Sequence, residues 1–177
     1  MTLTTLLVLG GARSGKSGYA ERRILAEPGG RVYIATAQAL DDEMRARIAR
    51  HRDDRGAGWQ TIEAPIDLAD AIGGTAPGTA ILIDCLTLWV SNLMLADLDT
   101  DFDAEREAER LADAVRAHAG PVVLVSNEVG LGIVPDNALA RRIRDVAGRL
   151  NQSIAALCDE VVFVAAGLPL TLKLSRK

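Results

Sequence analysis

Eight residues near the start of the chain, Gly10-Gly11-Ala12-Arg13-Ser14-Gly15-Lys16-Ser17, satisfy the pattern GxxxxGK[ST] in full. Glycines let such a segment curl until successive backbone N–H groups point inward at phosphate oxygens. A helix starting within it adds the positive end of its dipole at the same place. In this pattern Lys16 bridges the β- and γ-phosphates of a nucleoside triphosphate, and the Ser17 hydroxyl ligates Mg2+. Only three of the chain's 20 basic residues are lysines, which makes the placement of Lys16 more informative. Chance would supply the pattern in about one chain of this size in a hundred.

Two further groups end apolar runs. Asp84 follows Ala80-Ile81-Leu82-Ile83. A phosphate loop needs a second acid for Mg2+ at the end of a neighbouring buried strand, and Asp84 meets that need. The same residue would also serve as a plain cap for the helix after it. Ser126-Asn127-Glu128 closes another run. There it would position an acceptor or a water, or simply cap a turn.

His51 stands out within Asp41–Asp54. Met44, Ile48 and His51 recur at helical spacing, while Arg45, Arg52 and Arg55 surround the ring with positive charge. A packed histidine at a helix end is one reading. The other is a nucleophile: nearby guanidiniums oppose imidazolium formation and keep a ring lone pair available. The same arginines would bind the phosphates of the nucleotide under attack. His118, at the end of a charged helix before Gly120-Pro121, reads as facing solvent.

These residues need a scaffold, and the pattern around them supplies one. Apolar runs alternate with helical segments, the signature of βαβ units around a mostly parallel sheet. The predicted strands are Leu3–Leu9, Arg31–Thr36, Thr61–Ala64, Ala80–Asp84, Val122–Ser126 and Val161–Ala165. Predicted helices are Ser17–Glu27, Asp41–Asp54, Ile66–Ile72, Leu86–Ala96, Asp103–His118 and Asn137–Cys158. Ala165-Ala166-Gly167-Leu168-Pro169 reads as a turn, after which Leu170–Leu174 returns as an antiparallel edge strand. The expectation is one α/β domain over residues 1–177: a three-layer, RecA-like P-loop NTPase with a mostly parallel central sheet.

Composition agrees with this class. Of the 177 residues, 49% are hydrophobic and 25% charged, a globular balance rather than a disordered one. The net charge of −4 argues against binding to nucleic acid or to an anionic membrane. Cys85 and Cys158 lie far apart and in no metal-binding spacing, as expected of buried thiols in a reducing compartment. The apolar run Leu6–Leu9 has no positive residue ahead of it, so no signal peptide is read. No apolar stretch approaches the ~20 residues of a membrane span. A cytoplasmic protein is expected.

The chain resembles, almost end to end, the bifunctional adenosylcobinamide kinase/adenosylcobinamide-phosphate guanylyltransferases of cobalamin biosynthesis. The resemblance rests on Gly10–Ser17 and on Tyr33-Ile34-Ala35-Thr36-Ala37 with Asp41-Asp42-Glu43-Met44. It continues through Arg47-Ile48, His51-Arg52, Arg55, Trp59, Glu63 and Asp84-Cys85-Leu86-Thr87-Leu88-Trp89. It closes with Asn127-Glu128-Val129-Gly130-Leu131-Gly132-Ile133-Val134-Pro135, Arg144-Asp145, Asn151-Gln152 and Asp159-Glu160-Val161. Ile143 stands where an aromatic is expected and Cys158 where alanine is common.

The resemblance implies two reactions. One phosphorylates the aminopropanol hydroxyl of adenosylcobinamide from ATP or GTP. The other transfers GMP from GTP to that phosphate, through a guanylyl-histidine at His51, and yields adenosylcobinamide-GDP and pyrophosphate. Implied nucleotide contacts are Gly10, Gly11, Ala12, Arg13, Ser14, Gly15, Lys16, Ser17, Ala35, Thr36, Ala37, Arg52, Asp53, Asp54, Arg55, Glu63 and Asp84. His51 and Lys16 carry the catalysis, and Ser17 and Asp84 take Mg2+. A homotrimer with its site near a subunit boundary is also implied. The competing readings are a P-loop small-molecule kinase with another acceptor, in which His51 is structural, and a non-catalytic nucleotide-dependent binding module. The sequence holds no Asn-Lys-x-Asp guanine-reading motif of the kind a switch would use.

Overall fold

In a computed structural model of the chain, residues 4–39, 42, 45, 46, 49, 56–96 and 103–174 are described. The apolar runs pair side by side into one seven-stranded sheet. Its strands are β1 (Thr5–Gly10), β2 (Arg31–Ala35), β3 (Gln60–Glu63), β4 (Ala80–Asp84), β5 (Val122–Asn127), β6 (Glu160–Ala165) and β7 (Leu168–Leu174). Their order is β3-β2-β4-β5-β1-β6-β7. The first six run parallel and β7 is antiparallel to β6. Every central strand is buried on both faces, which is why these runs show no polar alternation.

The helices are α1 (Lys16–Leu25), α2 (Leu68–Gly73), α3 (Leu86–Ala96), α4 (Ala104–Ala117) and α5 (Ala138–Leu157). One face of the sheet packs Leu6, Val8, Tyr33, Leu82, Val123 and Val162 against Ala20 and Ile24 of α1. The opposite face packs Leu7, Ile34, Ile81 and Leu124 against α2–α5, with Leu68, Trp89, Leu111 and Ile154 at its centre. Of the helix expected over Asp41–Asp54, Asp42, Arg45, Ala46 and Ala49 are described; these four are helical and exposed. Arg45 pairs there with Asp42 at 2.6 Å.

Most boundaries agree with the sequence reading to within one or two residues. The clearest difference lies near the C-terminus. A turn through Pro169 was expected, but only Ala166 and Gly167 turn, both at positive φ (51° and 78°). That is the backbone of tight two-residue hairpin loops, and it brings Leu168 and Pro169 into β7. Proline is tolerated there because β7 is an edge strand. His118 also differs. It is half-buried at the C-cap of α4, and its Nε2 lies 2.7 Å from the Thr79 carbonyl oxygen. It ties the end of α4 to the start of β4 and does not face solvent.

Two sets of polar contacts fix the parts that carry chemistry. Arg23 of α1 donates from Nη1 and Nη2 to the two Glu160 oxygens at 2.8 and 2.7 Å, anchoring the helix to the start of β6. That bidentate bond raises the guanidinium pKa further above its ordinary value. On the other side, Thr36 is fully buried just past β2. Its hydroxyl accepts from the Cys85 N–H at 2.7 Å and donates to the Cys85 carbonyl at 2.8 Å. Its carbonyl accepts from Asn92 Nδ2 of α3 at 2.7 Å, and the same amide reaches the Pro65 carbonyl at 3.1 Å. Asn92 thereby joins the turns that leave β2 and β3.

Two predictions arise from this packing. Thr36→Val keeps the shape but leaves the buried Cys85 N–H without its acceptor, and should destabilise the fold by about 2 kcal/mol in urea unfolding. An unchanged midpoint would remove the hydroxyl from this role. Burial pushes both thiols from the ordinary 9.0 up to about 12. The unfolded chain ionises first, so their contribution to stability is complete below pH 9 and is lost as pH rises toward 12. The fall in unfolding midpoint over that window should be shallower in Cys158→Ala than in the unmodified chain.

Candidate functional site

Parallel strands put their carboxyl ends on one edge, and the phosphate loop, Ala35–Ala37, Glu63 and Asp84 lie there. The phosphate loop joins β1 to α1. Arg13 and Gly15 both take left-handed backbone, at φ 55° and 93°, and α1 starts directly after Gly15. Four of the loop's carbonyls are turned into the protein. Gly10 O accepts from Glu128 N (3.1 Å), Gly11 O from Ser14 N (3.3 Å), Ser14 O from Gly167 N (2.8 Å) and Gly15 O from Tyr19 N (3.0 Å). A turn of this kind at a helix start forms an anion-binding concavity.

The helix that follows is prepared for an anion as well. Asp103 caps α4 and Asn137 caps α5 through side-chain oxygens. At α1 the N-cap is Gly15, no side chain caps it, and the first turn has no acid. Its amide dipoles therefore face the loop with no side-chain cap and no acid in their own turn. Lys16 is buried, with Nζ donating to Gly11 O at 3.1 Å, so the ammonium lies inside the loop's curl. Ser17 is half-buried in the first turn; Ala12 and Arg13 are exposed on the outer rim.

Asp84 ends β4, separated from β1 by β5 alone. Its neighbours in register are Ala35 and, one strand further, Glu63, so the three form a row along the edge. Glu63 is exposed, while Ala37 and Asp84 are half-buried. The Asp84–Cys85 peptide is cis. After burial, the Cys85 thiol responds most to the Asp84 charge, which raises its pKa, and also to Lys16, which lowers it. Loop lysine and strand-end acid are thus within electrostatic reach of one point.

Thr36 stands at the same edge, yet its hydroxyl, N–H and carbonyl all bond within the protein. It positions the β4 turn. Ser126 and Asn127 likewise bond to Thr87, and Glu128 accepts from Gly130 N at 2.9 Å. For this trio the turn-capping reading is the one the contacts support. His51, Arg52, Asp53, Asp54 and Arg55 lie outside the described residues.

The donor set suits a hard divalent cation. Ser17 has one hydroxyl and Asp84 one carboxylate, the hard oxygen donors that would suit Mg2+. Among the described residues no group of three or more His, Cys, Asp or Glu gathers as a separate metal centre. No helix among them is long and apolar enough to cross a membrane.

The sequence reading missed two contributors. Tyr33 donates from its hydroxyl to Asp84 Oδ2 at 3.2 Å. The available signal was a tyrosine inside a strand buried on both sides, where the hydroxyl has to find a partner. The other is Gly167, which meets the phosphate loop from the β6–β7 turn; no local pattern announces that contact.

Comparison with known proteins agrees with this geometry. RadB recombinase aligns with a TM-score of 0.53 at 15% identity, over 90% of this chain and 73% of that one, a likeness of fold. The bifunctional adenosylcobalamin biosynthesis protein CobP of Pseudomonas aeruginosa is 53% identical over 169 residues, covering 94% of this chain and 96% of that protein. CobU of Salmonella typhimurium, of the same description, is 46% identical over 181 residues, covering 95% and 99%. Residues 6–172 match the family described as cobinamide kinase / cobinamide phosphate guanyltransferase. With the family model and these relatives matching nearly the whole length, the chain belongs to the cobinamide kinase / cobinamide phosphate guanyltransferase family of transferases.

Proposed function

We infer that one phosphate loop serves both family activities, and that His51 carries the guanylyl group between them. The observation that carries this reading is the curl of Gly10–Ser17, with Lys16 buried inside it and an uncapped helix start beneath. In the kinase step the loop holds ATP or GTP. The acceptor hydroxyl oxygen of adenosylcobinamide bonds to the γ-phosphorus, the bond from that phosphorus to the β-bridging oxygen breaks, and the hydroxyl proton is lost. Lys16 offsets the charge gathering on the leaving nucleoside diphosphate.

In the transfer step a ring nitrogen of His51 bonds to the α-phosphorus of GTP, and pyrophosphate departs with the electrons of the broken P–O bond. A phosphate oxygen of adenosylcobinamide phosphate then bonds to the same phosphorus. The P–N bond breaks, giving adenosylcobinamide-GDP and returning the imidazole. Arg52 and Arg55 follow the histidine in sequence and suit the phosphates of the bound nucleotide. Asp53 and Asp54 complete that stretch, and Glu63, exposed on the Ala35–Asp84 row, suits the guanosine side. Mg2+, held by Ser17 and Asp84, supplies charge neutralisation along the phosphates when bound. The protein is cytoplasmic and homotrimeric. The trimer is supported by exposed apolar side chains: Leu131, Ile133 and Val134 after β5, and Leu168, Leu170 and Leu172 on β7.

Intact-mass spectrometry after incubation with GTP and Mg2+ tests the intermediate. A GMP adduct that is lost in acid should form on the unmodified chain and not on His51→Ala. Absence of the adduct while GTP binds would leave His51 structural and a P-loop kinase as the reading. Lys16→Ala should abolish both activities, whereas folded His51→Ala should lose guanylylation and keep most of the kinase rate. Loss of both activities in His51→Ala would overturn this division of labour.

A further inference from the structure

We propose that Tyr33 is a positioning residue for the nucleotide-bound Mg2+, acting by holding the carboxylate of Asp84. The inference rests on the assignment of Asp84 to Mg2+ made above. Tyr33 lies on β2, next to β4, and is only 6% exposed. Its hydroxyl donates to Asp84 Oδ2 at 3.2 Å across the face covered by α1. Its ring meets the edge of Trp59 at 6.2 Å between centroids and 85° between planes, which fixes where the hydroxyl can point.

The backbone of the acid is held by the same strand. Thr36 N–H donates to the Asp84 carbonyl at 3.2 Å, and the Thr36 hydroxyl takes both polar groups of Cys85. The side chain of Asp84 is therefore held from β2, and its main chain from the residue just past β2 as well as by pairing with β5. A carboxylate with one oxygen held by a buried phenol cannot turn freely. It meets a small cation of strict octahedral preference without first losing rotational freedom. Tyr33 does not touch substrate, and its hydroxyl is not asked to transfer a proton.

The test is calorimetric titration of GTP into the full-length protein, in EDTA and over a series of Mg2+ concentrations. Tyr33→Phe keeps the ring and removes only the hydroxyl. It should raise the Mg2+ concentration that gives half-maximal tightening of GTP binding about tenfold, with affinity in EDTA unchanged. The double variant Tyr33→Phe/Asp84→Asn should be no worse than Asp84→Asn. Trp59→Phe, which disturbs the ring packing and leaves the hydroxyl, should move the Mg2+ dependence less than twofold.

Weaker GTP binding in Tyr33→Phe to the same degree with and without Mg2+ would overturn the proposal. So would an equal shift in Trp59→Phe, because packing would then be the cause. If Asp84→Asn shifts the Mg2+ dependence and Tyr33→Phe does not, Tyr33 alone loses its role. If Asp84→Asn itself leaves that dependence unchanged, the assignment of Asp84 fails, and this inference with it.

Discussion

The phosphate loop keeps its shape because two stretches of backbone meet with no side chain between them. A Cβ on Gly10 would sit 2.6 Å from the Val164 carbonyl oxygen of β6, and one on Gly15 would sit 3.1 Å from Gly167 Cα. Gly15 also needs φ 93°, a conformation that L side chains rarely adopt. Across this contact Gly167 N–H donates to Ser14 O. The start of α1, the burial of Lys16 and the inward turn of the loop's carbonyls all depend on that approach. Any side chain added here has to move backbone, which is far less forgiving than moving the end of a flexible neighbour.

A second framework serves the acid. β2 lies between β3 and β4, and residues on it or just beyond it hold Asp84 and Cys85. Asn92 of α3 joins the turns after β2 and β3 from below. The row Glu63–Ala35–Asp84 is thus braced by sheet register, by buried hydrogen bonds and by a helix. The phosphate loop is braced separately, from β6, the turn that follows it and the residue just past β5. Two rigid halves meet across β5, whose end residues Ser126 and Asn127 bond to Thr87 at the start of α3. Charged groups on rigid supports need little reorganisation as charge moves along a triphosphate, which is the condition for electrostatic catalysis.

Much of this was legible in the chain. Continuous runs of Val, Ile and Leu marked strands buried on both faces, and Ala80–Asp84 and Leu86–Ala96 appeared with the ends expected. The loop announced itself because its chemistry depends on consecutive residues. Contacts between distant residues were not legible. Nothing local to Tyr33 names Asp84, 51 positions away, and nothing local to Gly167 names Ser14. The turn at Ala166-Gly167 was read too long because Pro169 looked like a breaker; only its place on a sheet edge makes it a strand residue. His118 was assigned to solvent because a helix end is usually wet, whereas the partner that buries it, Thr79, belongs to another part of the chain. The bonds that Thr36 makes to Cys85 and Asn92 were not legible either, because those partners lie about 50 positions away.

The hairpin that seats the phosphate loop is far from it in sequence. Val164 and Gly167, which define the loop's floor, lie about 150 residues from the glycines they meet. Bringing such distant segments together costs loop-closure entropy, and contacts of this kind slow folding. The phosphate loop is thus local as a pattern and non-local as a shape.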